Sequence, residues 1–241
     1  MITMDFDEAF PVRPGMNVLD VGAGQGRHSF EVLRRGVVVT AFEMNESDLA
    51  DIDMMFAAME LEGEVPAGAS GTVLHGDARS MPFANGTFDR IIASEILEHI
   101  HEDEVVMAEI FRVLKPGGLV AISVPRNWPE QICWKFSDEY HEVEGGHIRI
   151  YQASELVARL QRAGFAPYKQ HHAHALHSPY WWLKCAVRPD NNDHPAVQAY
   201  HRLLVWDMMK APFVTRFVES ALNPVVGKSF VVYLRKPGTA V

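Results

Sequence analysis

The chain has 241 residues, 48% of them hydrophobic and 22% charged, with 17 Gly and 14 Pro. That profile excludes collagen-like, low-complexity and wholly disordered chains, and the length suits one domain with a proper core. Lys and Arg number 22 against 31 Asp and Glu, a formal net charge of −9, the reverse of the basic surplus that a phosphate backbone demands, so no nucleic-acid partner is expected.

In chain order, Val18-Leu19-Asp20-Val21 is an apolar run closed by Gly22 and predicts a buried strand. A helical pattern follows from about Arg27 and stops at Gly36. Residues 37–42 are rich in β-branched side chains and predict a second strand, ended by Glu43. Asn45 or Ser47 can cap the next helix, with Glu46, Asp48 and Asp51 near its positive end. Residues 72–75 and 88–93 predict strands three and four. A helix is expected over 103–114, with Val106, Ile110, Val113 and Leu114 on one face, broken by Pro116-Gly117-Gly118 before a fifth strand at 119–124. A helix over 154–163 and strands over 165–175 and 229–235 complete the alternation.

Apolar strands alternating with amphipathic helices predict an α/β, doubly wound, mainly parallel sheet covered on both faces. In such sheets ligands bind outside the carboxyl ends of the strands, at the switch point. The residues there are Gly22 to Gly26, Glu43, Asp77 and Ser94-Glu95. Two stretches, 127–150 and 178–225, fall outside the alternation. The first carries Trp128, Trp134, Tyr140, His141 and His147; the second carries Tyr180-Trp181-Trp182 and helical patterns before and after Pro212.

Gly22-Ala23-Gly24-Gln25-Gly26 follows a strand and opens a helix, the context in which glycines let a ligand touch the backbone. The dinucleotide fingerprint would need its third glycine at position 27, which is Arg27. Residues 18–26 instead resemble the first motif of class I S-adenosylmethionine-dependent methyltransferases. Glu43, Gly76-Asp77-Ala78 with Met81-Pro82-Phe83, residues 88–99, and Arg112 to Gly118 resemble the later motifs, in order, over residues 17 to 124. The resemblance implies a seven-stranded Rossmann-like methyltransferase sheet with its last strand antiparallel and a helical insertion between the last two strands. It also implies S-adenosylmethionine as cofactor and a single domain 1–241, with a cofactor-binding half at 15–126 and insertions at 127–150 and 178–225 forming an acceptor lid.

The implied cofactor residues are Asp20, Gly22, Ala23, Gly24, Gly26, Glu43, Met44, Asp77, Ala78 and Ser94. Glu43 can accept from ribose hydroxyls, Asp77 from the adenine amine, and the Ala78 amide can donate to a ring nitrogen. The Gly22 region and the backbone near Ser94 would hold the methionine end, with Asp20 bracing the loop. Glu98 and His99 resemble the pair usual there, with His99 packing a helix start.

Twelve histidines offer a general base for a hydroxyl acceptor. His147 and His141 are the candidates, since their stretch leaves strand five near the cofactor's methyl end; His147-x-Arg149-x-Tyr151 could equally lock the loop. His171, His172, His174 and His177 form a second cluster, expected to line the acceptor pocket or the surface. If the strand persists, His172 and His174 share a face and could hold a metal with an Asp or Glu from elsewhere, but no spacing demands one and no metal is assigned.

The motif series leaves little room for N-terminal helices over the acceptor, so the two unmatched stretches must cover it. Their aromatic residues can serve as core, pocket wall, dimer face or membrane contact. Asp5, Asp7 and Glu8 stand where a signal peptide would be basic and apolar, and no apolar run reaches the roughly 18 residues of a spanning helix. Cys133 and Cys185 form neither a disulfide framework nor a Cys-x-x-Cys motif. The expectation is a cytoplasmic monomer or homodimer with reduced thiols. Its expected reaction is methyl transfer to a small-molecule acceptor, a hydroxyl oxygen of an apolar, lipid-linked or glycosidic compound. The alternatives are a protein or RNA methyltransferase and a non-catalytic S-adenosylmethionine-binding scaffold.

Overall fold

The computed structural model describes residues 2–137, 140 and 146–238. Its strands are β1 (Asn17–Val21), β2 (Val38–Glu43), β3 (Ser70–His75), β4 (Phe88–Ser94), β5 (Leu114–Pro125), β6 (Ala166–Ala173) and β7 (Ser229–Arg235). They form one sheet in the order β3-β2-β1-β4-β5-β7-β6. β7 runs antiparallel to both β5 and β6, and the remaining pairs are parallel. The order turns back between β1 and β4, which opens a crevice at their carboxyl ends.

The helices between strands are α1 (Arg27–Arg34), α2 (Glu46–Leu61), α3 (Asp103–Val113), α4 (Asn127–Phe136) and α5 (Ala153–Arg162). Three more, α6 (His177–Val187), α7 (Pro195–Lys210) and α8 (Phe213–Val226), lie between β6 and β7. Because strand side chains alternate, each central strand feeds two cores. Leu19, Ile91, Val120 and Ile122 pack with Val106 and Ile110 of α3 and Leu156 and Leu160 of α5. Val18, Val39, Ala41 and Ile92 pack with Val32 and Leu33 of α1 and Ile52 and Phe56 of α2. Fully burying one such side chain contributes about 1.5–3 kcal/mol.

Local chemistry places most boundaries. Asn45 is the N-cap of α2, its side chain accepting from the Ser47 and Asp48 amides. Pro212 precedes α8 as expected. The boundary between α3 and β5 differs from expectation. Leu114 already belongs to β5, which continues through Pro116-Gly117-Gly118. Gly117 at φ +77° and a register shift between Phe88 and Arg90 absorb the proline, which has no N–H for a ladder.

Two further differences matter for the site. The stretch after β5 contains α4, whose contact with α6 pairs Trp128 with Trp182 at 5.6 Å and sets the Trp182 indole N–H on the Pro129 carbonyl at 3.0 Å. Cys133 of α4 and Cys185 of α6 are free, buried thiols. The chain start is core: Met4, Phe6, Ala9 and Phe10 are buried, and the Asp5 amide donates to the Tyr233 hydroxyl at 2.7 Å. Among the described residues no helix is long and apolar enough to cross a membrane.

Candidate cofactor cleft and adjoining pocket

A cleft of about 660 Å³ opens at the carboxyl ends of β1, β2, β3 and β4, lined by Gly22, Gly24, Glu43, Met44, Asp77 and Ala78, with Glu95, Ile96 and His99 on its far side. Gly22 and Gly24 take φ +66° and +51°, a left-handed conformation natural to glycine. A Cβ at Gly22 would meet Ile96 at 2.5 Å, whereas one at Gly24 would project into open space. The Gly22 and Ala23 amides donate to the Phe42 carbonyl, which stitches the loop to β2.

Glu43 ends β2 with its carboxylate turned onto the glycine loop. It accepts from the Gly24 amide at 2.9 Å and from the Met44 and Asn45 amides at 2.8 and 3.1 Å. A carboxylate offers roughly four lone-pair sites, so about one remains for a ribose hydroxyl rather than the two expected. Asp77 accepts from its own turn, the Arg79 amide at 2.8 Å, and from the Arg79 guanidinium at 2.7 to 3.1 Å. These Arg79 hydrogen bonds hold the Asp77 carboxyl below its usual range. Asp77 is therefore occupied by Arg79, which also reaches Glu102 at 3.2 Å, so an adenine amine at Asp77 would have to displace Arg79. The pair is solvent-exposed and screened, so it is readily displaced. A glycine cradle, a carboxylate at the second strand end and a second carboxylate beside Ala78 fit S-adenosylmethionine.

The other expected cofactor residues do not line the cleft. Asp20 is buried and accepts from the Ser29 hydroxyl at 2.7 Å, and burial raises its carboxyl to about 6. It braces β1 against α1. Ala23 is buried in the core behind the loop. Gly26, at φ +76°, keeps space for Phe30 and Ile52, which a Cβ would meet at 2.6 and 2.8 Å. The Ser94 hydroxyl is spent on Ser123 at 2.9 Å, with Arg27 at 3.3 Å.

Glu95 takes Ser94's place. Its amide donates to the Ser123 carbonyl, its φ is +55°, and its Oε1 is buried without a hydrogen-bond partner among the described residues. A left-handed non-glycine residue at a cleft is a mark of a functional turn. Glu95 also lines a second pocket of about 400 Å³, walled by Tyr180, Trp181, Leu204, Val205 and Met208, with His174, His177 and Lys228 as polar groups. The sequence signal for Glu95 was its position directly after β4; Ile96 and Arg79 carried none.

Of the two candidate bases, His141 lies outside the described residues. His147 Nδ1 sits 2.7 Å from Glu130 Oε1, and its ring meets His99 and Tyr140 edge-on at 4.9 and 6.1 Å. Burial raises the Glu130 carboxyl, but the His147 hydrogen bond and Lys228 bring it below the ordinary value. Arg149 and Tyr151 do lock their loop, both bonding Asp103. Glu98 is fully buried with neither oxygen hydrogen-bonded among the described residues, so burial, then the charge of Glu95, pushes its pKa well up. Among the described residues, two groups offer convergent metal-ligand atoms, Glu98 with His99 and His147, and His174 with His177 and Glu219. The expected pairing of His172 with His174 fails because β6 ends at Ala173 and His174 turns left-handed, at φ +66°.

Comparison with known proteins agrees with this geometry. A sterol 24-C-methyltransferase of Yarrowia lipolytica is 33% identical over 168 residues, 64% of this chain and 40% of that protein. A demethylmenaquinone methyltransferase of Thermobifida fusca is 36% identical over 120 residues, 48% of this chain and 47% of that one. The chain thus spans less than half the length of these relatives. A SAM-dependent methyltransferase of Methanosarcina mazei superposes with a TM-score of 0.60 at 16% identity, over 94% of this chain and 95% of that one, a likeness of fold. The family model described as a methyltransferase domain matches residues 5–170. The chain belongs to this methyltransferase domain family, with S-adenosylmethionine as its cofactor.

Proposed function

We propose that the protein transfers a methyl group from S-adenosylmethionine to an apolar small molecule, at a hydroxyl oxygen. The observation that carries this reading is the meeting of two clefts at Glu95, one built on the glycine loop and Glu43, the other walled by aromatic and aliphatic side chains. When bound, the cofactor supplies a methyl on a positively charged sulfur, already activated for transfer.

The chain's own part is to hold, shield and deprotonate. Glu43 orients the ribose and Asp77 the adenine, and the Gly22–Gly24 turn leaves room for the methionine end. Tyr180, Trp181 and Leu204 hold an apolar acceptor and exclude water, so that positioning lowers the barrier, by up to roughly 7–11 kcal/mol in the best cases. Glu130 fixes one ring nitrogen of His147, and the other is the proposed base for the acceptor's proton, a contribution of about 10²–10⁴-fold; His147 lines neither cleft itself but packs at 4.9 Å against His99, which lines the cofactor cleft. The stretches 127–150 and 178–225 form the acceptor lid over the half at 15–126, within a single domain. The contact between α4 and α6 supports this, because it joins the two stretches. The similarity to a sterol 24-C-methyltransferase and a demethylmenaquinone methyltransferase supports an apolar acceptor.

The test is transfer of radiolabelled methyl from the cofactor to a panel of apolar alcohols, phenols and glycosides, with bulk RNA and a peptide mixture as controls. Label extracted into organic solvent with a hydroxyl compound is the expected result. Label in RNA or peptide, or label only on carbon of compounds whose hydroxyls are blocked, overturns it.

A further inference from the structure

A second group of side chains has no part in cofactor binding, and two of its three members, His174 and His177, line the acceptor pocket. His174, at the end of β6, His177, opening α6, and Glu219, on α8, each bring one ligand atom within 4.8 Å of the others. The His177 amide donates to the His174 carbonyl at 3.0 Å, closing a turn that sets the two rings 5.5 Å apart. His174 holds the left-handed backbone this turn needs, φ +66°, a strained state for a non-glycine residue.

The orientation of each group suits an ion. His177 Nδ1 and Glu219 Oε1 are buried and have no hydrogen-bond partner among the described residues, an arrangement native proteins rarely leave unexplained. Arg216 takes the other carboxylate oxygen of Glu219, Oε2, at 3.2 Å. On His174, Thr3 Oγ1 lies 2.9 Å from Nε2, while Nδ1 faces Glu219 Oε1 at 4.0 Å. A partner on the far ring nitrogen is how metal-ligating imidazoles are fixed. Arg27, Lys228 and Arg216 bring positive charge to this corner, against the carboxylates of Glu219 and of Asp207, the latter buried with one oxygen unpartnered among the described residues; burial also raises the Glu219 carboxyl, so an ion has to displace its proton.

We propose that His174, His177 and Glu219 bind one divalent transition-metal ion, of the zinc or ferrous class, with an open coordination position toward the 400 Å³ pocket. Two imidazoles and one carboxylate are a zinc donor set that keeps a fourth position for water or substrate. His174 Nδ1 and Glu219 Oε1, 4.0 Å apart, stand wider than the about 3.4 Å edge of tetrahedral zinc with nitrogen and oxygen ligands, so an ion draws these side-chain ends inward. That the open position takes an oxygen of the methyl acceptor rests on the function proposed above; ion binding itself does not.

The experiment is titration of the untagged full chain with Co²⁺, followed by displacement with Zn²⁺, without any acceptor. One equivalent with the visible bands of tetrahedral cobalt is expected. His177→Ala and Glu219→Gln should each weaken binding by about 100-fold, and Thr3→Val by about tenfold, with S-adenosylmethionine affinity unchanged. In zinc-soaked crystals of the unmutated protein, an anomalous peak between His177 and Glu219 is expected, a readout that no folding defect of a variant can blur. No cobalt spectrum, or binding that survives both variants, overturns the proposal. So does a peak at Glu98, His99 and His147. Methyl transfer is scored separately, so a failed metal site and a failed methyl-transfer reading remain distinguishable.

Discussion

The Gly24 amide donates to the Glu43 carboxylate at 2.9 Å, so the acid that ends β2 also ties down the loop that follows β1. Removing that carboxylate should cost twice, once in loop order and once in the ribose contact. Glu43→Ala is expected to weaken S-adenosylmethionine binding by about 1.5–3 kcal/mol, the scale of a hydrogen bond to a charged group. Calorimetric titration of wild type and variant checks it, and equal affinities would remove Glu43 from the site.

Gly22 and Gly24 separate backbone strain from cleft volume. Both have positive φ, but an added methyl at Gly22 strikes Ile96 while one at Gly24 meets only open space. Gly22→Ala should lower thermal stability and cofactor affinity together. Gly24→Ala should cost only the backbone penalty, about 1–2 kcal/mol, yet lose most cofactor affinity because its methyl projects into the cleft. Scanning calorimetry beside ligand titration distinguishes the two.

Arg79 occupies the Asp77 carboxylate, which is proposed to take the adenine amine. Arg79→Ala should therefore leave Asp77 open and raise cofactor affinity modestly, by no more than about fivefold, since an exposed pair is weak. A loss of affinity would instead make Arg79 a cofactor contact.

His147 and Glu130 should act as one unit in turnover. With an oxygen acceptor, His147→Ala is expected to lower kcat by about 10²–10⁴-fold while cofactor affinity holds. Glu130→Gln should lower kcat less, since it misplaces the ring without removing it. Unchanged kcat in His147→Ala would assign the pair to loop structure alone.

Acid should unfold the protein through its buried histidines. Burial pushes His28 down to about 3 and His177 to about 4, from the model-peptide value of 6.5. The unfolded chain takes up these protons first, so the stability they confer is full above that value and is lost as pH falls below it. Each contributes a slope of at most about 1.4 kcal/mol per pH unit. Asp20, raised to about 6, acts oppositely, since it favours the fold when protonated. Urea unfolding of wild type and His28→Gln between neutral and acidic pH isolates the histidine term; the variant should show the shallower slope.

How much of this was legible in the residues follows from the range of each force. The strand and helix alternation, the Asn45 cap, the glycine turns and Glu43 at a strand end are set by neighbours within a few positions, where side-chain periodicity and turn chemistry act directly. Those local rules were enough for the fold class and the cofactor cleft. They failed at Leu114, where helix propensity yielded to pairing with β4, and they gave no sign that the Asp20 and Ser94 side chains would bond Ser29 and Ser123. Only the tertiary structure put Arg79 on Asp77, placed Glu95 between two pockets, and brought Glu219 from α8 beside His174 and His177. Those meetings join residues far apart in the chain, and their geometry depends on how whole helices pack on the sheet, which no local pattern encodes.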